Sequence, residues 1–286
     1  RDRVINVFID TYRQGQTPNP CIVCNQQIKF GALWKYMREQ GMNKIATGHY
    51  VRIARAREGH SAVQRGRDPK KDQSYFLCRL NRDQLAHMVM PLGELTKNEV
   101  YRMAAELGLA NVHGPESQDI CFLAGRSIAN FFTEQGVQDN PGRIVTSEGR
   151  TVGRHRGLWH YTIGQRRGLG LPDATPWYVQ QLDARRNRVI VCKSEGLMTG
   201  SLQVTDVRWN VLPPSSWQGL VQIRGRHQPS AAHLEKDSAN TWRITFAQPQ
   251  RAVAPGQFAA FYAVSYTHLR AHETVLDLVC RLLLEK

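Results

Sequence analysis

Two cysteines three residues apart, Cys21 and Cys24, stand in the run Thr17-Pro18-Asn19-Pro20-Cys21-Ile22-Val23-Cys24-Asn25. Each proline locks its own φ and biases the residue before it away from helix, so the run reads as an extended or turned loop. Asn25 is a helix-capping type, and Ile28, Leu33, Trp34 and Met37 follow at helical spacing up to Gly41, a natural stop. The expected geometry is a rigid loop that delivers two thiols to the start of a helix. The positive end of a helix favours thiolate over thiol, which makes a cysteine there the better nucleophile. A third cysteine, Cys121, stands in Ser117-Gln118-Asp119-Ile120-Cys121-Phe122, and Gly48-His49 follows a short apolar step from Lys44 to Thr47. Taken alone, a CxxC pair serves equally as buried small residues or as half of a zinc site. Zinc needs four ligands, and the pair with Cys121 and His49 makes four. The spacing matches no compact finger, however, and no metal is expected. A lone histidine is more often structural than catalytic, so His49 by itself proves little.

The elements that must position these residues alternate between helix and strand. Residues 1–16 read as a helix ended near Gly15, already in progress at Arg1, with no initiator Met; the chain is expected to be a fragment. Lys44 to Thr47 reads as a buried parallel strand whose C-terminal end meets a ligand, as in the crevice of an open α/β sheet. Val51 to Arg57 and Val63 to Arg67 read as paired strands. Asp68 to Ser74 is a polar loop, and Asn81 to Met88 a short helix. Thr96-Lys97-Asn98-Glu99 is a capping box that starts a helix over 97–107, with Gly108 at its end. A short helix is expected around Ile128 to Gln135. From Pro141 the texture changes to turns and short strands: a hairpin from Trp177 to Lys193 around Ala184-Arg185-Arg186-Asn187, then strands near 202–209, 220–226, 241–247 and 257–262. The fold class is therefore α/β followed by β, with a barrel at the end. The last residues, Val264 to Lys286, swing from a Tyr/Thr/His stretch to a leucine-rich run expected to form a helix over 275–284.

At 286 residues the chain has room for two or three domains with ample core. No apolar run reaches the length of a membrane span, and no signal peptide opens the chain. Six cysteines in this length make no disulfide scaffold, and a reducing, cytoplasmic compartment is expected. Lys and Arg number 38 against 24 Asp and Glu, a formal charge of +14 that points to a polyanionic partner. The cations are interleaved with aromatics and glycines in Arg154-His155-Arg156-Gly157-Leu158-Trp159-His160-Tyr161, in Gln165-Arg166-Arg167-Gly168 and in Arg224-Gly225-Arg226-His227. That pattern favours RNA, with Trp and Tyr available for stacking. The loop Lys70-Lys71-Asp72-Gln73 offers the same near the thiols.

The ordered motifs TPNPCIVCNQQIKFG, ATGHYVR, DPKKDQSYFL, PLGELTKNEVY, SQDICFL, YTIGQRRGLG and PGQFAAFY resemble the tRNA-specific 2-thiouridylase family (MnmA/TrmU) over residues 1–262. The resemblance implies a PP-loop ATP-pyrophosphatase domain over 1–122, a central tRNA-binding domain over 123–183 and a C-terminal β-barrel over 184–262. It implies a tRNA-uridine 2-sulfurtransferase that adenylates the wobble uridine C2 oxygen with ATP, Mg2+ assisting, and replaces it by sulfur. Carried over by motif, Cys24 is the nucleophile and Cys121 the cysteine that receives sulfur as a persulfide. Gly48 is an ATP-contacting position. Asn19, Pro20 and Cys21 meet the target base, and His49, Lys71, Asp72, Gln73, Arg224, Gly225 and Gln257 contact tRNA. Some members carry Asp at the position of Cys21 for acid/base help, a role that cysteine weakens. The implied partners are tRNAs for Lys, Glu and Gln and a sulfur-donor protein or cysteine desulfurase, with no membrane.

Two departures stand out. The family's SGGxDS loop, which cradles the pyrophosphate of ATP, is absent from this sequence, so the chain as given is expected to be catalytically incomplete. Residues 263–286 match no family pattern and resemble translated sequencing adapter; they are expected to contribute nothing to fold or function. Two other classes remain open on the residues. A non-catalytic RNA-binding module explains the charge and the barrel but leaves the cysteine motifs idle. A CxxC thiol oxidoreductase leaves the charge and the Gly-His-Tyr turn unexplained.

Overall fold

The computed structural model describes residues 2–55, 61–109, 120–209, 215–238, 240–264 and 274–282. The Glu116-to-Asp119 half of the third cysteine motif and the final leucines, Leu283 and Leu284, lie outside them.

A π-helical turn, Asp2–Asn6, leads into α1 (Val7–Arg13), which ends as expected just before Gly15 at φ +71°. The cysteine helix begins earlier than its sequence implies. Asn19, not Asn25, is the cap: its side chain accepts from the Ile22 amide, and Pro20 takes the first helical position, where its missing N–H costs nothing. Helix α2 (Pro20–Cys24) runs on through a wide π-helical stretch, Asn25–Leu33, into α3 (Trp34–Glu39). Gly31 suits the wide stretch, since a Cβ there would sit 2.7 Å from the Gln26 carbonyl oxygen. Both thiols thus belong to the helix rather than to a loop before it.

Strand β1 (Ile45–Ala46) is followed by the hairpin β2 (Val51–Arg55) and β3 (Ser61–Arg65). A 3-10 turn, Ser74–Leu77, precedes α4 (Arg82–Ala86) and β4 (Met88–Val89), which pairs parallel with β1. The capping box expected at Thr96 is formed: Thr96 and Glu99 exchange side-chain bonds at the start of α5 (Lys97–Glu106). Another 3-10 turn, Cys121–Leu123, leads to α6 (Ile128–Glu134).

The central sheet has the order β6-β5-β8-β7, from β5 (Gly142–Thr146), β6 (Thr151–His155), β7 (Tyr178–Asp183) and β8 (Arg188–Cys192). The expected domain boundary at 183/184 falls in the turn of the β7–β8 hairpin, and the sheet continues to Cys192. Strands β9 (Met198–Trp209), β10 (Ser216–Gln222), β11 (Ser230–Lys236), β12 (Thr241–Arg251) and β13 (Phe258–Val264) then form an antiparallel array.

The tail overturns the expected helix. Thr274–Leu282 is a strand, β14, rather than a leucine-rich helix. One of its edges pairs with β13 along Phe258–Val264; the other pairs first with β3 and then with β9. The ring β13-β10-β11-β12-β9-β14 is thereby closed, with the hairpin β2–β3 attached to β14. The physical reason is the row of unpaired amides and carbonyls that β13 and β9 would otherwise present; satisfying them outweighs even the high helix propensity of the leucines, which is worth under about 1 kcal/mol per residue. Truncation after Val264 is therefore expected to lower the melting temperature of the barrel by roughly 5 °C or more, the shift that about 1 kcal/mol produces in a domain this small. Calorimetry of the truncated and intact chains checks this; an unchanged transition would count against the strand.

Candidate active site

The thiols meet in a cavity of about 400 Å³. Cys21 and Cys24 reach it from α2, and Cys121 from the 3-10 turn after the undescribed segment; Lys29, His49, Lys70, Lys71, Asp72, Gln73, Phe76, Gly225 and Arg226 complete much of its wall. The three cysteines are free thiols; Cys21 and Cys24 are half-buried and Cys121 is exposed. The expectation of an activated thiolate at Cys24 is not met. With Asn19 as the cap, Cys24 is a full turn into the helix, beyond the reach of its positive end. Burial pushes the Cys24 thiol up, and the Lys29 ammonium pulls it part of the way back. Cys21 is likewise raised, first by burial and then by the neighbouring Cys121. Cys121 is coupled electrostatically to both helix thiols, so the three sulfurs lie within electrostatic reach of one another.

Each wall segment is held by identifiable contacts. Leu123 is buried, Phe122 packs edge-on against Phe8 with ring centroids 5.2 Å apart, and Arg126 donates to the carbonyls of Phe122 and Leu123, so the Cys121 turn is pinned onto α1. Asn25 donates from Nδ2 to the Phe76 carbonyl at 3.0 Å, tying the cysteine helix to the loop opposite. Asp72 accepts from the Gly66 and Ser74 amides and from the Ser74 hydroxyl, and Gln73 accepts from the Tyr50 amide at 2.9 Å. These two shape the lysine loop. Gly225 approaches Phe76 so closely that a Cβ would stand 2.7 Å from the ring, so only glycine fits there unless the ring shifts. The lining holds four basic residues and one carboxylate, and that carboxylate is already committed to Ser74 and to Arg65 at 3.8 Å. The cavity is built for an anion.

Of the residues singled out by motif, Pro20, Cys21, Cys24, His49, Lys71, Asp72, Gln73, Cys121 and Gly225 line this cavity. Asn19, Gly48, Arg224 and Gln257 do not. Asn19 caps α2. Gly48 is exposed beside His49, at the C-terminal end of β1. Arg224 gives its guanidinium to the Ala252 carbonyl, and Gln257 donates to the Thr17 carbonyl at 2.8 Å, bracing the loop that leads into α2. Lys29 escaped the sequence reading because a lone lysine on a helix face carries no signal of its own. The aromatics expected for RNA stacking are core instead: Trp159 is buried against Phe132 and stacked on His160, and Tyr161 is buried. Arg154, Arg166 and Arg167 are exposed. Among the described residues no group of three or more His, Cys, Asp or Glu side chains is arranged to hold a metal ion, and no helix is long and apolar enough to cross a membrane.

His49 is the titratable group this site changes most visibly. Its Nδ1 lies 2.8 Å from Thr47 Oγ1, which is itself 3.2 Å from Met90 Sδ. Burial, with the Lys29 charge second, pushes its pKa down to about 4.

The chain matches the family models described as tRNA methyl transferase HUP domain over residues 1–125, tRNA methyl transferase PRC-barrel domain over 130–193 and aminomethyltransferase beta-barrel domain over 199–266. It is 43% identical over 264 residues to the tRNA-specific 2-thiouridylase MnmA of Trichlorobacter lovleyi, covering 92% of this chain and 75% of the relative. It is 40% identical over 265 residues to the protein of the same name from Desulfotalea psychrophila, covering 92% and 77%, and 43% identical over 265 residues to that of Chloroflexus aurantiacus, covering 92% and 74%.

The His49 environment makes a prediction about acid. A histidine whose pKa is lower folded than unfolded leaves the unfolded chain holding the extra proton, so stability is full above about pH 6.5, falls as pH drops toward 4 and then levels. At pH 5 the loss is ~2 kcal/mol relative to neutral pH, from a shift of this size. Urea titrations of the protein and of His49→Gln at pH 7 and pH 5 read it, and an equal loss in both would refute the assignment. On that ordered set of domains and relatives, the chain belongs to the tRNA-specific 2-thiouridylase family.

Proposed function

We propose that this protein is a tRNA-uridine 2-sulfurtransferase, acting in the cytoplasm on the wobble uridine of tRNAs for Lys, Glu and Gln. The observation that carries the reading is the convergence of Cys24 and Cys121, from distant parts of the chain, on one cationic cavity. The family-model descriptions speak of methyl transfer, whereas the relatives' names speak of thiolation. Three thiols in the cavity favour sulfur chemistry.

The roles divide by exposure. Cys121, exposed at the mouth, is the thiol that a donor protein can reach and load as a persulfide. The terminal sulfur of a persulfide is a stronger acid and a better nucleophile than a buried thiol, so it attacks C2 of the uracil. ATP is the co-substrate that turns the C2 oxygen into a leaving group, with Mg2+ as its counter-ion. The exposed Gly48 offers an open backbone for it, but no SGGxDS loop stands in this sequence to hold the phosphates, and no step here is routed through them. Once sulfur is bonded to C2, Cys24 as thiolate attacks Cys121 Sγ. The old S–S bond breaks, its electron pair stays with the sulfur on the base, and a Cys24–Cys121 disulfide remains. In the alternative order Cys24 attacks first and releases hydrosulfide; the same two residues serve. Lys29 lowers the cost of the Cys24 thiolate, and His49, neutral at pH 7, adds no further positive charge to it. Lys70, Lys71, Arg226 and the exposed arginines of the central domain meet phosphates. Asn19, Arg224 and Gln257 act behind the surface by fixing the loops that do.

The test uses the chain extended upstream by a relative's SGGxDS-bearing segment, with tRNA, ATP, Mg2+ and a persulfide donor. Cys121→Ser and Cys24→Ser are each expected to reduce 2-thiouridine formation by about a thousandfold, in line with loss of a covalent nucleophile. A normal rate with Cys121→Ser overturns the reading. In the chain as it stands, tRNA affinity is expected to fall about tenfold or more between 50 and 200 mM salt, with Lys71→Ala weakening binding and flattening the salt slope. Salt-independent binding measured by filter retention would exclude the phosphate contacts.

A further inference from the structure

The cavity holds one thiol more than the sulfur-transfer scheme employs. Cys21 lines it together with Cys24 and Cys121, is half-buried, and interacts electrostatically with both. It is also the second residue of a helix in which Cys24 is the fifth, so the two side chains stand one turn apart on the same face. The Cα atoms of such a pair are about 5 Å apart by helix geometry, inside the span of a disulfide. Their Cβ atoms start about 1 Å too far apart, so the first turn must tighten slightly. That turn yields easily. Its only side-chain cap is the long 3.4 Å bond from the Ile22 amide to Asn19, and Pro20 has no N–H to leave unpaired.

We propose that Cys21 is the resolving thiol of this site, taking over the Cys24 half of the Cys24–Cys121 disulfide and so freeing Cys121 for reloading. The inference rests on the sulfur-transfer reading above. In the step, Cys21 loses its proton and its sulfur attacks Cys24 Sγ. The Cys24–Cys121 bond breaks, and Cys121 departs with the electron pair and is protonated from solvent. No electron is gained or lost overall: one disulfide is exchanged for another, and a dithiol reductant later returns Cys21–Cys24 to two thiols. The direction follows from solvation. Cys121 is the exposed member, so its thiolate is the better leaving group, whereas attack at Cys121 Sγ would expel a half-buried thiolate. Lys29, whose charge acts on both helix thiols, favours the attacking thiolate. Cys78 and Cys192 are buried and do not compete.

The experiment oxidises the full chain with one equivalent of diamide, alkylates with iodoacetamide and maps disulfides by non-reducing proteolysis and mass spectrometry. The expected product is Cys21–Cys24 with Cys121 alkylated. In Cys21→Ser and Cys21→Ala, both at a half-exposed position, Cys24–Cys121 is expected to accumulate. The Cys121 thiol should then return about tenfold more slowly under limiting dithiothreitol. A wild-type protein that keeps Cys24–Cys121 with Cys21 alkylated overturns the proposal, as does equal return of Cys121 in all three proteins. Neither readout involves tRNA or ATP. Failure of the thiolation reading shows separately, as absence of 2-thiouridine in the extended protein.

Discussion

Phe258, Ala260 and Tyr262 face one core, while Ala259 and Phe261, the residues between them, face another. Strand β13 is thus buried on both sides. Its period-two alternation places three side chains among Ile22, Phe30, Val51, Tyr75 and Leu85 and the other two inside the barrel. Burying each large aromatic stabilises the fold by about 1.5–3 kcal/mol, so this strand fixes the N-terminal unit and the barrel to each other by packing alone. Polar contacts then set the register. Tyr75 donates to the Phe258 carbonyl at 3.0 Å, and the Tyr262 hydroxyl lies 3.0 Å from both Ser74 Oγ and Gln222 Oε1. Just before the strand, the Pro255 carbonyl accepts from the Thr17 amide at 2.7 Å, and Gln257 holds Thr17 from the other side. The loop that starts the cysteine helix is therefore suspended from the barrel, although it lies more than two hundred residues away in sequence.

Cys121 depends on a separate joint. Phe8, Ile9 and Tyr12 of α1 pack with Phe131 and Phe132 of α6, with Trp159 and with Leu123, in a core distinct from the one beneath Cys24. The two thiols are therefore positioned by different hydrophobic clusters and meet only because both clusters flank the same cavity. An error at either joint misplaces one sulfur relative to the other. Arg79, buried and paired with Asp206 of β9 at 2.5 Å, adds a charged tie between the first unit and the barrel.

Local signals in the sequence were legible wherever a few adjacent residues decide the outcome. Thr96 with Glu99 announces its helix, Asn81 with Gln84 forms a second box, and the alternation around Ala184–Asn187 announces the central hairpin. What escaped depends on partners far away. Ser230–Lys236 lacks the apolar density of a strand, yet it is held between β10 and β12. The parallel pairing of β5 with β8 joins segments whose connection no local pattern reveals. The tail carries leucines that suit a helix, and its strand pairings come from unpaired edges on β13 and β9. At the site, residue types and spacing pointed to Cys24, Cys121 and the lysine loop. What depends on burial did not follow: Trp159 sinks into a core instead of offering its ring to RNA, and His49 becomes a weak base.

The cavity at rest combines two helix thiols raised by burial, a neutral imidazole and three lysines. That combination separates binding from reactivity. The cations attract phosphate without being consumed by chemistry, but a bound polyanion offsets the Lys29 charge that makes a Cys24 thiolate affordable. A half-buried thiol raised in this way is a poor first attacker while RNA is bound. A persulfide on exposed Cys121 does not share the penalty, since its terminal sulfur is acidic and solvated. On the proposed reading the order of events follows from this difference: the exposed sulfur acts first on the base, and the half-buried thiol acts afterwards on a disulfide-like bond. Attack on such a bond needs the thiolate in line with the S–S bond, and that alignment is what the helix and its suspended loop provide.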